Sequence, residues 1–198
     1  MHEVANFILQ SIGDLGYLGI FFLMFLESSF FPFPSEIVMI PAGYLAFQGE
    51  MNIYLAFLFG VVGSLAGALF NYFLAIKYGR AFLVKYGEKI YIKESTLIKL
   101  ENFFISHGEI STFNGRLIPG IRQYISFPAG LAKMNIFKFS IYTSLGASIW
   151  IVVLLSIGYF IGDNQELISE NLKFITMITL LGVVFLSLVY YFWNKRNS

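Results

Sequence analysis

Three stretches of the chain carry no charged residue and are long enough to cross a lipid bilayer, residues 53–76, 139–161 and 174–193, where a transmembrane helix needs roughly 20 apolar residues. Ahead of the first two lie apolar runs of the wrong length. Residues 15–26 are charge-free but reach only half a membrane, and Glu27, Pro32, Pro34 and Glu36 follow before a second apolar run over 37–47. Runs of that size read as re-entrant rather than spanning. Proline removes a backbone donor and disfavours helix in the residue before it, so Phe31-Pro32-Phe33-Pro34 predicts a non-helical tip between two short helices. Residues 104–117, Ile118-Pro119-Gly120 and 124–132 read the same way. Hairpin tips are therefore expected at Pro32 and Pro34, and again at Pro119 and Gly120.

The two apolar blocks are copies of each other. Counting forward 83 positions, Met51-Asn52-Ile53 returns as Met134-Asn135-Ile136, Gly63 as Gly146 and Gly79 as Gly162; upstream, with a four-residue shift, Pro32 returns as Pro119 and Pro41-Ala42-Gly43 as Pro128-Ala129-Gly130. Self-similarity at a fixed period decides architecture before local readings do. The expected fold is an all-α integral membrane protein, an inverted repeat of a re-entrant helical hairpin plus a transmembrane helix, with an extra C-terminal transmembrane helix. Residues 1–198 form one polytopic domain: repeat 1 over about 15–79, an amphipathic cytoplasmic connector over about 80–101, repeat 2 over about 102–162 and the last helix over about 172–194.

Composition agrees with a bilayer, since 57% of residues are hydrophobic and 13% charged, more apolar surface than a soluble domain of this length hides. The net charge is +1, and its distribution orients the chain. No Lys or Arg precedes Lys77; Lys77, Arg80, Lys85, Lys89, Lys93 and Lys99 crowd one segment, Lys133 and Lys138 flank the second repeat, and Lys195-Arg196 lie near the end. The positive-inside rule places these in the cytoplasm and residues 48–52 and 163–170 outside. The first spanning helix then runs inward, the second outward and the third back to a cytoplasmic C-terminus, so the two copies lie upside down relative to each other, as in many secondary transporters. Met1-His2-Glu3 shows no basic n-region, and no removable signal peptide is expected. Cysteine is absent, which excludes disulfides and thiolate metal sites.

Chemistry concentrates at the hairpins. The first copy places Glu27 and Glu36 around its early prolines, and the second places Arg116 and Arg122 around its own. A charge at the bilayer centre costs roughly 2.5–3.5 kcal/mol on insertion scales, which makes such residues functional candidates. The plainer reading is that the four pair to pin the hairpins together, or that some of them, Glu36 first, sit at the interface. The functional reading divides their work. Arginine keeps its proton and offers a planar fork that suits phosphate oxygens, so Arg116 and Arg122 are the candidate phosphate-binding residues. Desolvation raises a glutamate pKa toward neutrality, so Glu27 and Glu36 are the candidate proton-coupling residues. Hairpin helix dipoles aimed at the tips would reinforce anion binding.

Other features read as structural. Gly63, Gly67 and Ala68 have the small-residue spacing that lets a neighbouring helix approach, and Asn71 suits a hydrogen bond between helices. His107 reads as a helix-end residue near the cytoplasmic interface. The 23 Phe and 12 Tyr read as lipid-facing bulk and interfacial belt. A stacking surface for bases would need a basic soluble face, so no nucleic-acid partner is expected.

The run from Phe113 to Arg122, followed by Ser126-Phe127-Pro128-Ala129-Gly130 and Met134, resembles the signature of the DedA family, the bacterial branch of the VTT (SNARE-associated Golgi protein) superfamily. Glu27, Pro34-Ser35-Glu36 and Pro41-Ala42-Gly43 are similar to that family's acidic first motif, and Gly63 to Ala68 with Tyr72 to its Gly-rich helix. The likeness covers about residues 15–162. Two departures stand out: Ala75-Ile76 occupies the place of a Gly-Arg pair found in many members, and Glu36 that of an Asp. The resemblance implies two re-entrant hairpins in a bacterial cytoplasmic membrane protein that moves lipids between leaflets. The implied substrate is undecaprenyl phosphate or phosphatidylethanolamine, with dependence on the proton motive force and functional roles for Glu27, Glu36, Arg116 and Arg122.

Three functions compete. A proton-linked lipid transporter, flippase- or scramblase-like, uses all four charges, with an anionic phosphate head group and protons as partners and no cofactor. A proton-coupled antiporter of small ions or drugs leaves the arginines as counter-charges. A membrane enzyme acting on lipid phosphate ranks last, since it needs a nucleophile or metal and only His2 and His107 supply imidazoles. No enzymatic activity is expected, and a homo-oligomer is compatible with the sequence.

Overall fold

The computed structural model describes residues 15–29, 34–86, 94–118 and 121–161. The tips Pro32, Pro119 and Gly120, the acidic stretch 163–170 and the C-terminal segment 172–194 lie outside the described residues. Within them the structure is helical, without a strand. The helices are α1 (Tyr17–Ser28), α2 (Glu36–Phe47), α3 (Ile53–Leu74), α4 (Arg80–Tyr86), α5 (Glu94–Leu117), α6 (Ser126–Leu131) and α7 (Ile136–Ile161), and a π-helical turn (Ala75–Gly79) joins α3 to α4.

Among the described residues two helices are long and apolar enough to cross a membrane, Ile53–Gly79 and Ile136–Phe160. At 1.5 Å per residue each is close to 40 Å long, against a hydrocarbon core of about 30 Å, whereas the 12-residue α1 and α2 reach about 18 Å. The repeated Met-Asn-Ile motif has a local cause. Asn52 Oδ1 accepts from the backbone N–H groups of Tyr54 and Leu55 at 2.9 and 3.2 Å, and Asn135 Oδ1 accepts from those of Phe137 and Lys138 at 3.0 and 3.3 Å. Both asparagines satisfy N–H groups that a helix start leaves orphaned, so the motif is a helix start used twice.

The two apolar long helices pack on each other, and each carries two others: α3 holds α1 and α6, while α7 holds α5 and α2. Glycine permits the approach. A Cβ at Gly63 or Gly67 would strike the carbonyl of Phe21 or Phe25 on α1, and one at Gly43 or Gly130 would strike the carbonyl of Leu155 or Tyr72. One cluster, including Ile20, Met24, Val38, Met39, Ile151 and Leu154, fills the space among α1, α2, α3 and α7. A second gathers Tyr72, Phe104, Ala129, Met134 and Phe139, with Tyr72 stacked on Phe139 and donating its hydroxyl to the Met134 carbonyl. The outer face of α7 exposes Phe137, Ile141, Leu145, Ile149 and Val152 at three- and four-residue steps, the side a lipid tail would cover.

Residues 94–101 form the first turns of α5, and no proline between Glu94 and Leu117 interrupts that helix. His107 consequently lies inside α5, stacked on Phe103, and not at a helix end. Pro34 is exposed and non-helical, two positions before α2, while Pro41 is accommodated within that helix.

Candidate functional site

Helix packing carries the end of α1, the start of α2 and the segment from the end of α5 to the start of α6 to one place beside α3 and α7. Glu27 projects from the last turn of α1 and is 2% exposed; its Oε1 lies 2.8 Å from Nη2 of Arg122, which is 8% exposed. The approach has the distance of an ion pair but not hydrogen-bond geometry at Oε1. Nη2 instead donates to Ser35 Oγ at 2.7 Å. Ser35 Oγ also accepts from Trp150 Nε1 at 3.2 Å, and the Trp150 ring faces the Arg122 guanidinium at 5.3 Å, close enough for a cation–π contact. Glu36 opens α2, where a carboxylate complements the helix dipole. Its Oε2 is 4.0 Å from Arg122 and its side chain 22% exposed, so it forms the rim.

Arg116 is held differently. It is 2% exposed, yet among the described residues its guanidinium donates only to hydroxyls, Nη1 to Ser28 Oγ and Nη2 to Ser126 Oγ, both at 3.3 Å, and its Nε has no partner there. Ser28 links the arginine to the acid: its hydroxyl donates to Glu27 Oε2 at 2.9 Å and meets Ser64 Oγ at 2.7 Å. With Ser28 donating to Glu27, Ser64 donates to Ser28, and the Ser28 oxygen has both lone pairs in use. Asn71 braces the junction by donating to the backbone carbonyls of Ser28 and Gln123 at 3.2 and 3.4 Å.

Met24, Glu27, Ser64, Arg116, Arg122, Ala147, Trp150 and Ile151 line a narrow, partly open void. Opposite charges surrounded by apolar side chains in such a space attract more strongly than in water. Taking them out of water costs several kcal/mol per ion, so burial alone is no argument for stability. Chemically the arrangement offers two guanidinium forks, four hydroxyls and one buried carboxylate that changes charge with a single proton. Among the described residues no group of three or more His, Asp or Glu is placed to hold a metal ion.

The structure thus brings Glu27, Arg122 and Glu36 into one ion-pair cluster and joins Arg116 to it through Ser28. Sequence reasoning did not single out Ser28, Ser35, Ser64, Ser126 or Trp150 as parts of the site. A signal existed for some of them. Ser28 and Ser35 abut the two acids, and a tryptophan inside an apolar helix needs an acceptor for its indole N–H.

The fold and cluster define a class, helical membrane proteins with acids and bases buried between their helices. The VTT domain model matches residues 33–160, and the chain belongs to that family, in its DedA branch. It is similar to a protein named alkaline phosphatase-like protein from Lactococcus lactis subsp. cremoris, 35% identical over 98% of this chain and 94% of the relative. It is also similar to undecaprenyl phosphate transporter A of Bacillus subtilis, 32% identical over 100% of this chain and 98% of the relative. Protein DedA of Escherichia coli is 25% identical over 87% of this chain and 78% of the relative. No solved structure matches the chain. The protein is accordingly a membrane protein of a family that includes proteins named as lipid-phosphate transporters.

Proposed function

We propose that the protein moves a phosphate-bearing lipid between the leaflets of the bacterial cytoplasmic membrane, linked to proton movement. The substrate is a polyprenyl phosphate such as undecaprenyl phosphate, or a phospholipid such as phosphatidylethanolamine. The observation that carries this reading is the burial of Arg116 and Arg122 with Glu27 in one void lined from four helices and the turn before α6. Guanidinium forks match phosphate oxygens, and the acid beside them competes with phosphate for Arg122 until it is protonated.

Alternation of access calls for two halves that move against each other. The close approach of Gly43 to the Leu155 carbonyl and that of Gly130 to the Tyr72 carbonyl support an internal repeat, because the partners correspond at the offsets seen in the sequence. Each copy lends its second short helix to the other copy's long helix. The basic residues flanking the second repeat and following the first spanning helix support opposite orientations, a multi-pass topology and a cytoplasmic C-terminus. Short helices α1 and α2, half a bilayer long, suit a re-entrant hairpin whose tip is covered by protein.

An antiporter for small cations fits less well, since two buried guanidiniums repel such a substrate. Cleavage of a phosphate ester, which one relative's name suggests, finds no imidazole at the cluster among the described residues, where His107 stacks on Phe103. Reconstitution in liposomes with labelled polyprenyl phosphate or phospholipid tests the proposal. Translocation should fall in Arg116→Gln and Arg122→Gln. Unchanged rates in both variants overturn it, and ion-dependent proton release without lipid movement favours the antiporter.

A further inference from the structure

The two arginines are both buried but unequally compensated. Arg122 has Glu27 at 2.8 Å and Glu36 at 4.0 Å, whereas Arg116 has no carboxylate within ion-pair distance among the described residues. Hydroxyls of Ser28 and Ser126 hold it, and its Nε, inside the lining of the void, is unpartnered. Glu27, Arg116 and Arg122 together carry one net positive charge, and Glu36 at the rim is partly exposed. Among the described residues Arg116 hydrogen-bonds only neutral groups, and the carboxylate whose charge reaches it, Glu27, is already matched by Arg122, so the buried cation is unfavourable unless an anion completes it.

We propose that Arg116 is a standing subsite for the first negative charge of a lipid phosphate, and that Arg122 accepts a second charge only after Glu27 takes up a proton. Proton uptake is then set by head-group charge. A phosphodiester, with one charge on phosphorus, is matched by Arg116 alone and binds without a proton. A phosphomonoester in its dianionic form needs both guanidiniums, and Glu27 must leave Arg122 as a neutral acid. The inference rests on the lipid-transport reading and adds the substrate class that couples, lipid phosphomonoesters.

The surroundings of Glu27 permit this exchange. The charged groups facing it are Arg122 from the turn before α6, Arg116 from α5 and Glu36 from α2; α3 presents Ser64 and Asn71, and α7 presents Trp150, all neutral. When Glu27 is ionised, Ser28 donates to it and accepts from both Ser64 and Arg116. When Glu27 is protonated, Ser28 is free to donate to Ser64 instead, since either hydroxyl of that pair is able to donate. Arg122 keeps Ser35 and the face of Trp150, which hold its fork at the void while the carboxylate lets go.

The full chain in detergent, in weakly buffered solution near pH 8 with a pH indicator, is titrated with phosphatidate as phosphomonoester and phosphatidylglycerol of the same acyl chains as phosphodiester. The expected uptake is about one proton per phosphatidate bound and close to none per phosphatidylglycerol. In Glu27→Gln, which mimics the protonated acid, phosphatidate should still bind while its proton uptake disappears. Arg116→Lys should weaken binding of both lipids by about 10- to 100-fold, the scale of losing a charge-assisted hydrogen bond. Equal uptake for the two lipids, or uptake that persists in Glu27→Gln, overturns the inference while leaving lipid transport intact. Failure of both lipids to bind the unaltered protein overturns the transport reading together with this inference.

Discussion

Replacing Glu27 and Arg122 singly and together measures the contact that joins the two halves of the chain. At an effective dielectric constant near 20, unit charges 4 Å apart attract by about 4 kcal/mol, and more at the 2.8 Å seen here. Desolvation offsets much of that gain, so the net value of the pair is small. Removing one partner is different, because it strands a charge in the void, and such changes cost about 3–5 kcal/mol. Glu27→Gln and Arg122→Gln preserve shape and polar atoms, which places each near the lower bound, about 3 kcal/mol. Arg122 in the first variant still has Ser35, Trp150 and the distant Glu36, none of which supplies a close negative charge. With both replaced, no charge of this pair is stranded, and the double variant should lose little more than either single one, a coupling of about 2–3 kcal/mol. Unfolding in mixed micelles, followed by tryptophan fluorescence with lipid and pH held fixed, reads the three differences. Losses that add to within about 0.5 kcal/mol would show that the side chains do not interact and refute the reasoning.

Other outcomes follow from neighbouring contacts. Gly67→Val should push α1 off α3, because a side chain there meets the Phe25 carbonyl and Ser28 Cβ, lowering stability by about 1–3 kcal/mol and abolishing transport; an unshifted melting temperature contradicts the packing. Ser28→Ala leaves Arg116 and Ser64 short of a partner and should cost about 1–3 kcal/mol, with Ser28→Thr restoring most of it in the same unfolding assay. Trp150→Phe keeps a ring facing Arg122 but removes the donor to Ser35, so it should cost about 0.5–1.5 kcal/mol and less than Trp150→Ala in parallel melts. On the surface, a hydrogen bond from Lys138 at 2.5 Å holds the Glu109 carboxyl below the usual carboxylate range. A depressed folded-state pKa contributes stability that is present above the unfolded value and lost as pH falls through the folded one. Lys138→Gln should therefore raise the Glu109 pKa toward its ordinary value in a carboxyl NMR titration; an unmoved titration contradicts the contact.

The sequence made the charged positions legible because charges in apolar runs are few, and the repeat brackets them. Glu27, Glu36, Arg116 and Arg122 stand out against long stretches with no ionisable group, and helices Ile53–Gly79 and Ile136–Phe160 follow from length and apolar composition. Their partners were harder to see. Ser28, Ser64 and Ser126 are short side chains of no strong preference; the close approach of α1 to α3 at Gly63 and Gly67 brings Ser28 to Ser64, and the packing of α5 on α6 brings Ser126 to Arg116. The unequal treatment of the two arginines was invisible for the same reason, since spacing places both in one segment but does not say which meets a carboxylate. The start of α5 at Glu94 has no apolar run to mark it, because its first turns carry mixed charge, a pattern that does not stop a helix lacking proline.

A structure determined in lipid with a bound polyprenyl phosphate tests the central claim most directly. The account predicts phosphate oxygens at about 3 Å from the Arg116 guanidinium, charge-assisted hydrogen-bond distance, inside the void lined by Met24, Ser64 and Trp150. Phosphate bound elsewhere, with Glu27, Glu36, Arg116 and Arg122 dispersed into separate surroundings, would contradict it.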